Sequence, residues 1–598
     1  MELQLINEVN QQFTPIEQIL YNRGISKDEF YHYLNTTDKD INDFKLLGEE
    51  KMTEAARTLL SVIKHNDNVI VVIDCDYDGY ASAAILINYL HRLFPNWVES
   101  HLDYFMHSGK QHGLEDNYKN FLNSKYKLVL LPDAGSNDIT AHKELKNSGI
   151  NTICLDHHLT DLISEDAIVI NNQMSEYPNK ELCGAGVTWQ FCRFLDSLLS
   201  ENIANDFIDL VAIALVADMM SLTSFETKHL ITKGFKKENI KNPFISYMLD
   251  KNNFPLSKTD YVSTNLDQAC TGIGAAFFIV PFVNAITRTG TLEEKKLIFD
   301  SMLEYKAYVK IPEIKRGKDT GKTEPLVLQA VRVIGNVKNR QTKLEDAAME
   351  LLSKKVEQEN LLQHGILTFL LDSKEVEPNI RGLVANKNMA KYQRPCMVLT
   401  KTDHNTYEGS MRGYTKNGLL DFKSLLEKCD GINWVQGHHN AAGVSINSAK
   451  IDNFFNDSDK LLSNFSKTPV YRVDYLFNST LTPKDKTTII DISNLNDLWG
   501  QDFERAYVGV RGLNITKDNI QLLSKDKNPT IRIKLPCGVD VMKFKSSEEE
   551  FETLCPTGNG SIKIDLVAKC ACNQWGGEVT PQLLIEDYEI VGSNKYYF

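Results

Sequence analysis

The stretch that decides the fold is Val69-Ile70-Val71-Val72-Ile73, followed at once by Asp74-Cys75-Asp76-Tyr77-Asp78-Gly79. Five consecutive β-branched residues are typical of a strand that is buried on both faces in a parallel sheet. Beyond Gly79 the apolar residues recur at helical spacing, which predicts a strand-to-helix turn at the acidic motif. In an open α/β sheet, such turns line the crevice in which ligands bind.

Three further segments repeat this arrangement. Leu128–Leu131 leads into Pro132-Asp133, Thr152–Leu155 leads into Asp156-His157-His158, and Leu210–Ala217 leads into Asp218. We interpret them as further strand ends that bring their polar residues into the same crevice. Carboxylates crowded in this way repel one another strongly unless cations lie between them. Oxygen ligands mixed with imidazole suit Mn²⁺ or Mg²⁺ better than a structural zinc ion, so we predict a metal-dependent catalytic site.

Any single aspartate in this set has an ordinary structural explanation, because an Asp that follows a strand commonly caps the next helix. Capping alone does not account for four such endings in order. Asp74, Asp76 and Asp78 alternate along one segment, so in strand geometry they would point the same way. Because a turn follows at Gly79, we expect only two or three of them to reach metal.

The order of these motifs resembles the DHH phosphoesterase superfamily, and within it the RecJ-type single-strand-specific DNA exonucleases. The resemblance is carried by Asp-x-Asp-x-Asp-Gly at 74–79, Asp133-Ala134-Gly135, Asp156-His157-His158 and Val216-Ala217-Asp218. From about residue 50 onward it continues through Gly184–Val187, Pro281–Ala285 with Arg288, Gly382–Ala385, Ser410–Gly413, Gly437–Gly443, Asn573–Trp575 and Pro581–Leu583.

The resemblance implies a role for each candidate residue. Two Mn²⁺ or Mg²⁺ ions would be held by Asp74, Asp76, Asp78, Asp133, His157 and Asp218. Asp156 would orient the His157 imidazole from behind, and His158 would contact phosphate or act as an acid, although a packing role for His158 is equally open. A second lobe would fix the end of the substrate across a cleft. The expected substrate contacts are Ser410, Arg412, His438, Arg288, Lys110 and Trp575.

The chain departs from the family pattern at three places. Gln436 stands where the family usually has glycine, and Ala134 stands where it usually has asparagine. The segment Phe105–Leu114 resembles a phosphate-gripping loop of the family but lacks the expected arginine, for which Lys110 or His107 would substitute. These departures concern selectivity for a phosphorylated end more than catalysis itself.

The resemblance also implies the architecture: an α/β fold with a parallel-sheet phosphoesterase core, a second α/β lobe across a cleft and a C-terminal OB-like β-barrel. We predict an acidic lead-in (1–50), the DHH domain (51–235), a mainly helical connection (236–365), the second lobe (366–467) and the barrel (470–598). Within these regions, Lys315–Lys322 is expected to be a flexible loop, Leu344–Leu362 a helix that connects the lobes, and Ile489-Ile490 a short β run.

Composition limits the possible functions. A net charge of −13 argues against a protein that coats nucleic acid with its whole surface. Residues 306–340 carry nine basic and three acidic side chains, which makes them the best candidate for phosphate contacts. Eleven scattered cysteines indicate reduced thiols in a cytoplasmic protein. The amino terminus does not resemble a signal peptide, and we expect no membrane span.

The predicted function is exonucleolytic cleavage of single-stranded DNA. By resemblance it would run from the 5′ end and release mononucleotides, with a single-strand-binding protein or a helicase as possible partners. One alternative is a DHH phosphodiesterase of oligoribonucleotides or cyclic dinucleotides, but such enzymes usually lack a terminal barrel like 470–598. The other is a replication scaffold with a dead core, which the retained aspartates disfavour.

Overall fold

The computed structural model describes residues 1–109, 111–251, 270–372, 375–463, 465, 468–495, 498–524, 529–575 and 578–594. The chain begins with a short strand and two helices, β1 (Glu2–Leu5), α1 (Pro15–Asn22) and α2 (Phe30–Leu34). Thr14 caps α1 in a capping box with Glu17. The predicted acidic lead-in has a structural role, because β1 pairs in parallel with Val470–Val473 near the other end of the chain.

A five-stranded parallel sheet forms the next region, in the order β3-β2-β4-β5-β6. Strand β2 is buried along nearly its whole length, as the apolar run predicted. The elements are α3 (Glu49–Lys64), β2 (Asn68–Ile73), α4 (Tyr77–Leu93), α5 (Pro95–His101), β3 (Leu102–Met106), β4 (Tyr126–Pro132), α6 (Ile139–Asn147), β5 (Asn151–Asp156), β6 (Ile168–Asn171), α7 (Gly184–Leu199), α8 (Ile208–Ala217) and α9 (Phe225–Gly234).

The interpretation of Leu210–Ala217 as a strand was wrong. This run lies within α8, and Asp218 is the residue that caps the carboxyl end of that helix. A continuous apolar run of eight residues does not distinguish a buried strand from a buried helix, and α8 is buried on nearly all sides against α4, α7 and α9. Asp218 therefore reaches the crevice from a helix end.

The connecting region is mainly helical, as predicted. It comprises α10 (Pro243–Lys251), α11 (Gly272–Phe278), α12 (Val280–Thr289), α13 (Leu292–Met302), α14 (Glu304–Ala307), β7 (Lys310–Lys315), β8 (Lys318–Pro325) and α15 (Leu326–Gln358). The basic segment Lys315–Lys322 is part of the β7–β8 hairpin and not the loop that we expected. The predicted connecting helix is longer than Leu344–Leu362 suggested, since α15 has 33 residues and spans about 50 Å.

One stretch of described helix, residues 272–289, has the length and apolarity of a membrane span, with a mean hydropathy of 1.3 over 18 residues. It is formed by α11 and α12, and 44% of it is buried inside the structure. There α11 packs on α8 and α12 packs on α15, which are the contacts of core helices. A buried core helix can have the same length and apolarity as a membrane span.

The second α/β region contains a five-stranded sheet in the order β12-β13-β11-β10-β9. Only the β9–β10 pair is parallel; the other pairs are antiparallel. The elements are β9 (Leu367–Leu371), α16 (Arg381–Tyr392), β10 (Cys396–Lys401), β11 (Thr406–Arg412), α17 (Phe422–Leu426), β12 (Ile432–His438), β13 (Ala441–Asn447) and α18 (Ile451–Leu462).

The C-terminal region is rich in β structure and OB-like, with a seven-stranded sheet in the order β15-β16-β20-β21-β19-β18-β17. Ile489-Ile490, which we expected to be a β run, lies inside helix α19. The elements are β14 (Val470–Val473), β15 (Tyr475–Phe477), α19 (Pro483–Ser493), β16 (Tyr507–Thr516), β17 (Ile520–Leu523), β18 (Thr530–Lys534), β19 (Asp540–Lys543), α20 (Glu548–Leu554), β20 (Ser561–Trp575) and β21 (Glu578–Asn594).

The C-terminal region packs tightly on the amino-terminal half. Tyr33 stacks on Phe503 with 5.3 Å between ring centroids, and Arg23 forms an ion pair of 2.7 Å with the buried Asp474. One continuous hydrophobic core includes residues of the parallel-sheet region and of the C-terminal sheet. Removal of the C-terminal region would therefore expose core residues of the rest of the chain.

Candidate metal centre and substrate cleft

The carboxyl ends of β2, β4 and β5 meet at one edge of the parallel sheet, and they bring the predicted ligands together. His157, directly after β5, places its Nε2 atom 3.2 Å from Asp133 Oδ1 and 3.4 Å from Asp218 Oδ2. The same atom lies 3.7 Å from Asp78 Oδ2 in the first turn of α4. These four side chains form one possible coordination group, with donors from four different elements.

A second group lies next to the first. Ligand atoms of Asp74, Asp76 and Asp133 all lie within 4.8 Å of one another. Asp133 therefore belongs to both groups, the position of a carboxylate that bridges two ions. Its Oδ1 atom is buried and accepts no hydrogen bond from the described residues, including the nearby His157 ring. An unsatisfied buried carboxylate oxygen between two ligand groups fits a divalent cation.

The first turn of α7 holds Asp78 in place. The backbone N–H of Gly184 donates to Asp78 Oδ2 at 2.7 Å, and that of Ala185 donates to Asp78 Oδ1 at 2.8 Å. A Cβ atom at Gly184 would overlap the Asp133 carboxylate and lie 2.7 Å from Asp133 Cα, so only glycine fits there. The sequence motif includes Gly184. The hydrogen bonds to Asp78 come from backbone N–H groups, however, and these cannot be recognised from the residue type.

Charge crowding is severe in this cluster. Burial, followed by repulsion from neighbouring aspartates, raises the pKa of Asp76 to about 6 and that of Asp218 to about 8. The same two causes, burial first, raise the pKa of Asp133 well above its usual range. Oxygen donors with one imidazole, packed so closely, fit hard divalent cations of the Mn²⁺ and Mg²⁺ kind.

We expected Asp156 to orient the His157 ring, and this prediction was wrong. Its Oδ1 atom accepts a hydrogen bond of 2.8 Å from Nδ1 of His158 and one of 2.7 Å from the backbone N–H of His157. Burial opposes ionisation of Asp156, but the hydrogen bond and charge of His158 hold its pKa well below the usual range. The hydrogen bond that His158 donates to Asp156 is the main cause that raises the pKa of His158 to about 9. His158 is thus a half-exposed cation beside the metal ligands.

His112 belongs to the centre although the sequence analysis did not single it out. Its Nδ1 atom lies 2.7 Å from Asp74 Oδ2, and this hydrogen bond is the main reason that its pKa rises to about 11. His107, which we expected to replace the missing arginine, is buried, and its ring contacts Asn117 at 3.2 Å. A substitution of His107 for the arginine stays a prediction. Lys110, the other proposed substitute, lies outside the described residues.

A cleft of about 760 Å³ separates the metal centre from the second α/β region. Asp156, His157, His158 and Asp218 line one side, and His438 at the end of β12 lines the other. His438 therefore lies across the cleft from the centre, and its contact with substrate stays a prediction.

A smaller cavity of about 200 Å³ adjoins the centre and contains Arg288 of α12 together with Asp76, Asp78, Asp218 and His112. Arg412, at the end of β11, lies close enough to Arg288 that their like charges, after burial, lower the pKa of Arg412. Neither guanidinium is in an ion pair with a carboxylate of the described residues, and Arg412 Nη1 donates to the Met411 carbonyl at 2.7 Å. A Cβ atom at Gly382 would lie 2.7 Å from Arg412 Nη2 and 3.6 Å from Ser410 Oγ.

Comparison with known proteins gives a family. The model of the DHH family, N-terminal domain, matches residues 68–215, and that of the DHHA1 domain matches residues 363–464. The SPbeta prophage-derived single-strand DNA-specific exonuclease YorK of Bacillus subtilis (strain 168) is 31% identical over 603 residues, which cover 100% of this chain and 99% of that relative. The chain is a RecJ-type member of the DHH family.

More distant relatives agree with this assignment. The single-stranded-DNA-specific exonuclease RecJ of Bacillus subtilis (strain 168) is 25% identical over 595 residues, covering 96% of this chain and 67% of that protein. Among solved structures, RecJ from Thermus thermophilus in complex with Mn²⁺ superposes with a TM-score of 0.68 at 18% identity, covering 96% of this chain and 76% of that one. The same protein with Mg²⁺ gives a TM-score of 0.63 at 17% identity, covering 96% and 74%. These likenesses establish a shared fold.

The remaining predicted contact of this RecJ-type chain is Trp575. It is the last residue of β20, paired with Glu578 of β21, and its side chain lies outside the described part of the structure. A base-stacking role for Trp575 therefore stays a prediction.

The raised carboxylate pKa values of the metal-free centre predict how its stability depends on pH. For Asp76 and Asp218 the folded-state pKa lies above the usual value of 3.8, so the stability that their protonated forms contribute to the folded state is fully present below about pH 4. It is lost as pH rises through about 6 and about 8. In EDTA, the Tm should therefore fall between about pH 5 and pH 9, and Mn²⁺ should suppress the fall.

Thermal melting of wild type and Asp218→Asn, each with EDTA or Mn²⁺, measures this effect. The variant in EDTA should show a shallower fall than wild type, because one of the crowded carboxylates is gone. A metal-free wild-type Tm that stays level or rises over this range would contradict the charge crowding described above.

Proposed function

We propose that this chain is a metal-dependent exonuclease of single-stranded DNA that works from the 5′ end and releases nucleoside monophosphates. The observation that carries the proposal is that carboxylates of the centre and the partly buried Arg288 line one cavity, and that Arg412 lies beside Arg288. A phosphodiester strand is anionic, so the carboxylates would hold the cations that bind the scissile phosphate, and the arginines would bind a neighbouring phosphate. The names of the relatives described above support single-stranded DNA as the substrate.

Two ions would be held by two groups of side chains that share Asp133. Asp78, Asp133, His157 and Asp218 would hold one ion, and Asp74, Asp76 and Asp133 would hold the other. When bound, such a pair supplies an activated water and stabilises charge on the attacking and leaving oxygens. His158, which donates a hydrogen bond to Asp156 and lines the cleft, would contact a phosphate oxygen from the cleft wall.

The arginine pair is the proposed site for the 5′-terminal phosphate. Ser410 and Arg412 lie against the amino-terminal turn of α16, where Gly382 leaves room for the guanidinium. Two partly buried cations without a carboxylate partner among the described residues are costly, and a phosphate would relieve that cost. The helix terminus adds backbone donors and a partial positive charge.

We expect Arg412→Ala to lower kcat/KM on 5′-phosphorylated strands about tenfold more than on 5′-hydroxyl strands, because a charge-assisted contact is lost. Arg394→Ala is the matched control, since Arg394 is also in the second α/β region but donates to the carbonyls of Leu362 and His364. Single-turnover hydrolysis of the two substrates measures the ratio. Equal losses on both substrates would reassign Arg412 to general strand binding.

The function itself is tested with the full chain on end-labelled strands in Mn²⁺, Mg²⁺ or EDTA. A 5′ label on single-stranded DNA should appear at once as mononucleotide, while a 3′ label should give a ladder of shortening products. Duplex DNA should not be hydrolysed, and EDTA should abolish the hydrolysis of single strands. Hydrolysis of short oligoribonucleotides or cyclic dinucleotides in preference to DNA would replace the proposal with the phosphodiesterase alternative.

A partner that presents single strands is consistent with this function. A helicase or a single-strand-binding protein is the class of partner that would supply a free 5′ end, and a pull-down with either class on forked DNA tests it. Loss of co-purification after nuclease treatment would show that DNA alone links the two proteins.

A further inference from the structure

A group of three unlike ligands lies beside the carboxylate centre. Cys75 stands between Asp74 and Asp76, and its Sγ atom is 3.8 Å from Nδ1 and 3.7 Å from Nε2 of His112. His112 Nδ1 in turn lies 2.7 Å from Asp74 Oδ2. Ligand atoms of the three residues all lie within 4.8 Å of one another, so sulfur, nitrogen and oxygen donors converge on one point.

The spacing fits a single tetrahedral ion. With Zn–S of about 2.3 Å and Zn–N of about 2.0–2.1 Å, a sulfur and a nitrogen on one tetrahedral zinc ion are about 3.5 Å apart. The observed separations of 3.7 and 3.8 Å are close to this value, and because Sγ is almost equidistant from the two ring nitrogens, the His112 ring would turn to direct one of them at the ion. Asp74 and His112 are closer to each other because they share a hydrogen bond. A bound ion would displace the proton of this hydrogen bond and lie between the two side chains.

The surroundings leave a fourth position open. Cys75 and Asp74 are buried, whereas the His112 side chain is 50% exposed and lines both the cleft and the smaller cavity. Three protein ligands with one side open to solvent are the arrangement in which a zinc ion keeps a water or an exchangeable ligand.

We propose that Asp74, Cys75 and His112 form a separate site for a thiophilic divalent cation of the Zn²⁺ or Co²⁺ kind, adjacent to the hard-ion centre. The thiolate and imidazole select this ion over Mn²⁺ and Mg²⁺, which the all-carboxylate group next to it favours. Asp74 is common to both groups, so occupation of the Cys75 site withdraws a carboxylate from the hard-ion centre. The site does not depend on the proposed nuclease activity, although its effect on hydrolysis does.

Cobalt absorption tests the site without any assay of activity. The full chain in excess Mg²⁺, which fills the ligand group of His157 to which Asp74 does not belong, is titrated with Co²⁺ under reducing conditions. Wild type should develop a thiolate-to-cobalt charge-transfer band that saturates at one equivalent and is bleached by Zn²⁺. Cys75→Ser should lack the band, and His112→Gln should weaken Co²⁺ binding at least about tenfold.

Cys154→Ser is the matched control. Cys154 Sγ also lies near an imidazole, 3.6 Å from His142 Nε2, but this pair belongs to no three-ligand group among the described residues. The band should persist in this variant. Circular dichroism melting of each variant checks folding. A wild type without the band, or a folded Cys75→Ser that keeps it, would overturn the proposal.

The effect on hydrolysis distinguishes this site from the proposed function. If both hold, micromolar Zn²⁺ should slow Mn²⁺-dependent hydrolysis by wild type and have a weaker effect on Cys75→Ser. If the protein proves inactive on DNA, the cobalt band still decides whether the site exists. A Zn²⁺ inhibition that is equal in wild type and Cys75→Ser would show that zinc acts at the carboxylate centre instead.

Discussion

Asp133→Asn is expected to lower kcat on single-stranded DNA by on the order of 10³-fold or more, or about 4 kcal/mol of transition-state stabilisation. Asp133 is the carboxylate common to the two ligand groups, so its neutralisation weakens both proposed ion sites at once. Asparagine is the suitable replacement because Asp133 has a φ of 72°, a left-handed conformation that Asn tolerates better than most residues. Loss of activity can then be ascribed to charge.

The same variant should not be less stable without metal. Burial, followed by repulsion from neighbouring aspartates, raises the pKa of the Asp133 carboxyl well above its usual range, so a neutral amide avoids the cost of ionising this side chain in the metal-free state. Melting curves should show that Mn²⁺ raises the Tm of wild type and has little effect on Asp133→Asn, whose Tm in EDTA equals or exceeds that of wild type. Near-normal turnover by a folded Asp133→Asn with Mn²⁺ would refute the assignment of the bridging role.

The sequence predicted the position of the centre because parallel strands impose it. Asp133 and His157 follow directly after buried strands, and strands of a parallel sheet end at the same edge, so their proximity needs no knowledge of loops. The helix that carries Asp218 was interpreted as a strand. Asp218 still reaches the centre, because the carboxyl end of this buried helix also lies at the crevice.

What the sequence could not predict are contacts that depend on the direction of a side chain or on the backbone. Asp156 accepts a hydrogen bond from the ring of His158 and not from that of His157. The motif alone allows either pairing, because the side-chain rotamers decide which ring reaches the carboxylate. His112 approaches Asp74 from a loop 38 residues further along the chain, and only tertiary structure brings them together. The hairpin at Lys315–Lys322 carries charged residues on exposed strands, so it lacks the apolar alternation by which strands are recognised.

Gly184→Ala is expected to reduce activity about 10²-fold or more, although it adds one methyl group to a residue that is not itself a ligand. The new Cβ atom would overlap the Asp133 carboxylate and press on Asp133 Cα, a backbone atom that cannot rotate away. Relief requires the first turn of α7 to move, and this turn supplies both backbone donors to Asp78. A displacement of about 1 Å at reacting groups is enough for a loss of this size.

Stability should fall as well, by about 1–3 kcal/mol, which is typical of overpacking in a buried site. Gly592→Ala is the control, because a Cβ atom there meets only the Lys563 side chain at 3.8 Å. Hydrolysis rate, Mn²⁺ affinity by calorimetry and chemical denaturation would be measured for both variants. Since the overlap involves Asp133 and the lost donors involve Asp78, weaker Mn²⁺ binding should accompany the loss of rate. A stable Gly184→Ala protein with unchanged Mn²⁺ affinity would mean that the α7 turn does not position the ligands.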